Sequence, residues 1–168
     1  MQGGIDFGTS NSTVSLAGDG PARLIALEDG QPTLPSAVFW PDEGAPLYGR
    51  AAMAAYLGGE EGRLMRGLKS TLGSGLVNER TVIGGRAVAL REVLARYIGH
   101  LAGALRQAAP GLSRVVMGRP VHFVDGDPQA DAQAEATLAA IARDCGFAEV
   151  AFQFEPIAAA LHYEQSVS

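Results

Sequence analysis

The 168-residue chain is poor in cysteine, lysine and tryptophan and lacks any long apolar run, and each shortage narrows what it can be. The lone Cys145 can close no internal disulfide and build no cysteine metal cage, which fits a reducing cytoplasm. No apolar run approaches the roughly 18 residues a membrane-spanning helix needs. No basic segment followed by an apolar one marks a signal peptide at the N-terminus. With 13 basic against 18 acidic residues, a net charge of −5, there is no cationic surface for nucleic acid. Charged residues are scarce at 18% while apolar ones reach 47%, so the chain has what it needs for one domain with a real core. The sharpest shortage is lysine: of the 13 basic residues all are arginine except Lys69. A chain that uses arginine almost everywhere and keeps one compact, rotatable ammonium directs attention to that position.

The stretch Ile5-Asp6-Phe7-Gly8-Thr9-Ser10-Asn11-Ser12-Thr13-Val14 reads as a strand that ends on a carboxylate and turns through glycine and hydroxyl residues into a second strand. Gly8 lets the backbone bend and approach a ligand. Thr9, Ser10 and Asn11 can offer N–H groups and short donors to phosphate oxygens, and Asp6 can hold a hydrated cation. No Gly-rich turn opens onto a helix here, so neither the P-loop nor the Rossmann fingerprint fits. Taken singly, Gly8 and Asn11 also suit a plain hairpin turn, and Asp6 a polar strand end.

Patterning predicts strands over 4–8, 12–17 and 22–27 as an antiparallel meander, and an extended segment from Leu34 to Trp40. From Pro41 to about Gly85 the chain is rich in turn residues, with a short helix around Ala51–Leu57 and a hairpin through Gly84-Gly85. Leu90, Val93, Leu94, Tyr97, Ile98, Leu101 and Leu105 share one face of a helix over about 88–108, which Pro110-Gly111 stops. Arg114–Met117 reads as a buried strand. A helix follows with Asp127 as N-cap and Pro128 at its first position, ending near Gly146; then come a strand over Glu149–Phe154 and a helix opened by Pro156. This alternation predicts an α/β layer with parallel pairing. Tyr97, Phe147, Phe152 and Phe154 are read as core, and His100, His122 and His162 as structural or surface histidines without a second ligand nearby.

The opening stretch resembles the first phosphate loop of the actin, sugar-kinase and heat-shock ATPase superfamily, and within it of the DnaK-type chaperones. Three later segments carry the same resemblance in the same order. Arg66-Gly67-Leu68-Lys69-Ser70-Thr71-Leu72-Gly73 is similar to the family's lysine motif, and Gly118-Arg119-Pro120-Val121-His122-Phe123 to its proline loop. Phe154-Glu155-Pro156-Ile157-Ala158-Ala159-Ala160-Leu161 is similar to its Glu-Pro helix start. The run from Lys69 to Gly75 and the wording from Gly118 to Phe123 look closest to the YegD-like subgroup.

The resemblance implies an actin-like (ribonuclease H-like) ATPase lobe, α/β, with a mixed sheet flanked by helices. Its core would be residues 1–36 and 86–168, with a small inserted subdomain over 37–85. It implies ATP and Mg2+ as cofactors. Asp6 would hold the magnesium through bound waters. Gly8, Thr9, Ser10 and Asn11 would bind the phosphates, each charge-assisted bond contributing roughly 1.5–3 kcal/mol. Lys69 would neutralise charge on the γ-phosphate, a role whose loss costs on the order of a hundredfold in rate, and Glu155 would sit near the attacking water and the magnesium. A solvated surface lysine and a helix-start acid are the bland readings of these last two.

The implied partners are a second ATPase lobe and a C-terminal domain following Ser168, with an unfolded peptide client or co-chaperone. This lobe alone is expected to bind ATP weakly, to be inactive, and to self-associate through the apolar surface the second lobe would cover. Pro120 resembles the family's proline switch, but counting back from Gly146 brings Glu135, or a neighbour that is not arginine, to the place of its partner arginine, and the only arginine of that helix, Arg143, lies near the far end. A metabolite kinase and an actin-like scaffold of the same superfamily are the competing functions.

Overall fold

Alternation in the first seventeen residues sets the main sheet of the computed structural model, which describes residues 1–155. In β1 (Gln2–Phe7) Gly3, Ile5 and Phe7 are buried, and in β2 (Asn11–Ala17) Ser12, Val14 and Leu16. The two pair antiparallel from Gln2–Ala17 to Phe7–Ser12, so both buried sets share one face. The segment predicted as a strand over 22–27 is cut to β3 (Arg23–Leu24), because the amides of Leu27 and Glu28 both turn back to the Gln31 carbonyl. β3 and β4 (Thr33–Pro35) share the outer edge of β2.

The extended run from Leu34 to Trp40 serves two sheets, and Ser36 is where it changes. Its amide donates to the Ser10 carbonyl at 2.9 Å, its hydroxyl donates to the Gly8 carbonyl at 2.7 Å, and it shares a hydrogen bond with Ser12 Oγ. Beyond it, β5 (Ala37–Pro41) forms the centre of a three-stranded sheet with β6 (Leu47–Tyr48) and β7 (Gly62–Arg66). Helix α1 (Gly49–Leu57) lies on that sheet through Ala52 and Ala55, against Ala37 and Phe39. Its N-terminus is capped from outside by Glu28, whose carboxylate accepts from the amides of Arg50 and Ala51, both at 2.9 Å.

After β7 come the one-turn α2 (Ser70–Gly73), a 3-10 turn over Leu76–Asn78, and a hairpin of β8 (Arg80–Ile83) and β9 (Arg86–Ala89) through Gly84-Gly85. The predicted 88–108 helix begins at α3 (Leu90–Ala108), since Val88 and Ala89 complete the hairpin. Tyr97 on α3 donates its hydroxyl to the Pro35 carbonyl at 3.0 Å and packs its ring on Phe7. β10 (Arg114–Arg119) and β11 (Glu149–Phe154) then add parallel strands beside β1, giving the mixed order β11-β10-β1-β2-β3 with β4 also on β2. Between them runs α4 (Pro128–Asp144), whose N-cap Asp127 accepts from the amides of Gln129 and Ala130.

The protein is thus a mixed α/β structure. Helices α3 and α4 cover the sheet face that carries Ile5, Phe7, Val14, Val115 and Met117. Tyr97 and Phe147 are buried and the half-buried Phe152 packs against this core, but Phe154, predicted as core, is 40% exposed at the end of the outermost strand. His100 stacks on Tyr48 at 4.4 Å, and burial holds its pKa below the ordinary value against the opposing charge of Glu28. The helix predicted from Pro156, with His162, lies outside the described residues. Among the described residues no helix is long and apolar enough to cross a membrane.

Candidate functional site

Opposite the helices, the same strands present Gly4, Asp6, Thr13, Ser15, Val116, Gly118 and Gln153 along an open groove of about 600 Å³. Small residues dominate it, so the sheet face is recessed. Because β1, β10 and β11 run parallel, their C-terminal ends meet at one end of this groove, the place where α/β sheets hold ligands. Asp6 sits there near the end of β1, Gly118 near the end of β10 and Glu155 just after β11.

Gly118 has no side chain to fill the space between the two carboxylates. A Cβ added to it would stand 3.3 Å from Asp6 Oδ1 and 3.5 Å from Glu155 Cγ. Lys69 reaches Glu155 from the turn after β7. The chain leaves β7 at Gly67, whose φ of +64° suits glycine, and Ser70 ties the turn by donating its hydroxyl to the Gly67 carbonyl at 2.6 Å. Buried Leu68 anchors the turn, and Lys69 Nζ then donates to Glu155 Oε1, with the lysine side chain only 11% exposed.

Asp6, Lys69 and Glu155 therefore converge. Asp6 is exposed as a residue, yet partial desolvation of its carboxyl at the groove raises its pKa above 3.8, the Glu155 charge raises it further, and Lys69 opposes both. One ammonium between two carboxylates leaves an excess of negative charge that another cation would relieve. Among the described residues no group of three or more His, Cys, Asp or Glu is placed to cage a metal. A hard cation placed at Asp6 would have one carboxylate from β1 as its ligand and would complete its coordination with water.

The β1–β2 turn follows Asp6 directly. Gly8 is required by close approach: a Cβ there would lie 2.2 Å from the Asn11 carbonyl oxygen. Thr9, Ser10 and Asn11 are exposed, while the carbonyls of Gly8 and Ser10 are held by Ser36, so the turn is fixed from behind and open in front.

Arg119 was not among the residues the sequence pointed to, yet it organises the neighbouring face of the same strand end. Its guanidinium donates to Asp131 Oδ2 at 2.7 Å, to Glu135 and to the carbonyl of Pro120, and lies 5.2 Å from the ring centroids of both Phe123 and Phe154. Burial works against its charge, but the hydrogen bonds it donates to Asp131 and Glu135 outweigh that and hold its pKa above the ordinary value. Glu135 on α4 is thus matched by an arginine on β10. The signal in the sequence was strand parity: Arg119 shares the face of buried Val115 and Met117, and a cation there calls for partners. No protein-family model matches the chain.

Proposed function

We propose that the chain is the first lobe of an ATP-binding, ATP-hydrolysing protein of the DnaK type, with an actin-like ATPase fold. The observation that carries this reading is the meeting of Asp6, Lys69 and Glu155 beside the exposed Gly8–Asn11 turn. Phosphoryl transfer to water asks for positioning and charge stabilisation more than for covalent chemistry, and this set supplies both.

In this reading Thr9, Ser10 and Asn11 bind the β- and γ-phosphates at the turn that Ser36 holds. Lys69, oriented by Glu155, neutralises charge on the γ-phosphate. Glu155, half-exposed at the groove end, accepts hydrogen bonds from the attacking water. Asp6 holds the hydration shell of Mg2+, which supplies neutralisation of the triphosphate when bound. A second lobe would supply the remaining phosphate contacts and the base pocket, and a β-rich domain a peptide client site.

Steady-state ATP hydrolysis by the protein together with that second lobe tests the assignment. Lys69→Ala and Asp6→Ala should each lower turnover by about a hundredfold. Unchanged turnover in both variants would remove the reading.

A further inference from the structure

We propose that Arg119 is the positioning residue for the Lys69–Glu155 pair, holding both partners from behind through two aromatic rings. One ring, Phe154, immediately precedes Glu155; Arg119 and Phe154 are register partners across β10 and β11, and the guanidinium sits 5.2 Å from that ring. The other ring, Phe123, lies in the loop between β10 and α4, again at 5.2 Å. That loop backs the helix that follows Lys69. The Phe123 carbonyl approaches Gly73 so closely that a Cβ there would stand 2.3 Å from its oxygen.

The guanidinium itself has little freedom. Asp131 and Glu135, one turn apart on α4, take two of its nitrogens, and Asp131 also accepts the Phe123 amide at 2.5 Å. A planar fork gripping two acids while stacking on two rings is work that a lysine could not do. Glu155 follows directly on Phe154 at the end of β11, and Lys69 immediately precedes the one-turn α2, so a brace on Phe154 and on α2 acts next to each member of the pair. The shared brace behind them fixes their separation.

The effect on hydrolysis rests on the ATPase reading; the effect on the pair does not. Because Lys69 is the only lysine, reductive methylation with 13C-formaldehyde labels it as a single side-chain NMR signal, distinct from the N-terminal amine. Glu155→Gln should move this signal by breaking the pair. Arg119→Met should move it in the same direction. Asp131→Asn, a gentler change that keeps the guanidinium, should move it less, provided circular dichroism shows each variant folded. In the Glu155→Gln background, Arg119→Met should add no further shift. A signal that moves in Glu155→Gln but stays put in folded Arg119→Met and Asp131→Asn overturns the proposal and leaves the ATPase reading standing; a signal that ignores Glu155→Gln removes the pair on which both depend. With the second lobe present, Arg119→Met should lower kcat about tenfold with KM for ATP nearly unchanged, as expected of a displaced pair. An equal loss in the Glu155→Gln background would show that Arg119 acts by another route.

Discussion

Two charge clusters occupy the two faces of one strand end, and they are built on opposite terms. On the helix side, Arg119 faces Asp131 and Glu135 and stacks on two rings, and its hydrogen bonds hold the Asp131 carboxyl below the ordinary carboxylate range. On the groove side, Lys69 meets Glu155 while Asp6 has no salt-bridge partner among the described residues, its carboxyl pushed up by desolvation and by Glu155. Charge that serves the fold is matched within the fold. Charge left in excess at the mouth of a groove waits for something from outside, which is why strained carboxylates point to sites.

The sharpest way to break this comparison is to strip the matched cluster. Replacing Asp131 with Asn and Glu135 with Gln together leaves a mostly buried guanidinium without counter-charge, and Tm at pH 7 should fall by several degrees in a calorimetric scan. The pH dependence carries a sign. Asp131 has a depressed folded pKa, so the stability it contributes is present above 3.8 and lost as pH falls through the folded value; the doubly substituted protein should lose less on acidification below that point.

A smaller effect is expected on the groove side. Gly118→Ala places a methyl 3.3 Å from Asp6 Oδ1, so stability should change by less than about 1 kcal/mol. If the chain is the first lobe of the proposed ATPase, Mg2+-ATP binding by that ATPase, measured by titration calorimetry, should weaken.

The smallest change should be a gain. Asp6→Asn removes a carboxylate that folding penalises, so Tm should rise modestly at neutral pH. Asp6 has a raised folded pKa, so the gain should shrink as pH falls through that value and vanish below 3.8, where wild type is protonated in both states. A loss of stability at pH 7 would mean that Asp6 is already satisfied and that the two faces do not differ as described.

Much of the fold was legible because its signals are local. Asp127 and Pro128 cap α4 as predicted, the seven apolar positions from Leu90 to Leu105 lie on α3, and Gly84-Gly85 turns the β8–β9 hairpin. The misplacements came where a tight turn or a partner far along the chain intervenes. Gln31 folds back on Leu27 and Glu28 and shortens the third strand, and Ser36 is shared between Gly8, Ser10 and Ser12 and splits one extended run between two sheets. Phe154 alternates like a core residue, but among the described residues it lies at the end of the edge strand β11 and is 40% exposed.

The candidate site divides in the same way. Asp6, the Gly8–Asn11 turn, Lys69 and Glu155 stood out by residue type, by the lone lysine and by resemblance, each a property of a few neighbouring residues. That Lys69 reaches Glu155 across 86 positions, that Gly118 leaves room between two carboxylates, and that Arg119 finds both its acids and its rings were decided by tertiary structure alone. Periodicity, caps and turns are written within about one turn of helix or one strand. Which side chains meet depends on strand order and register, which only the packing of the whole chain fixes.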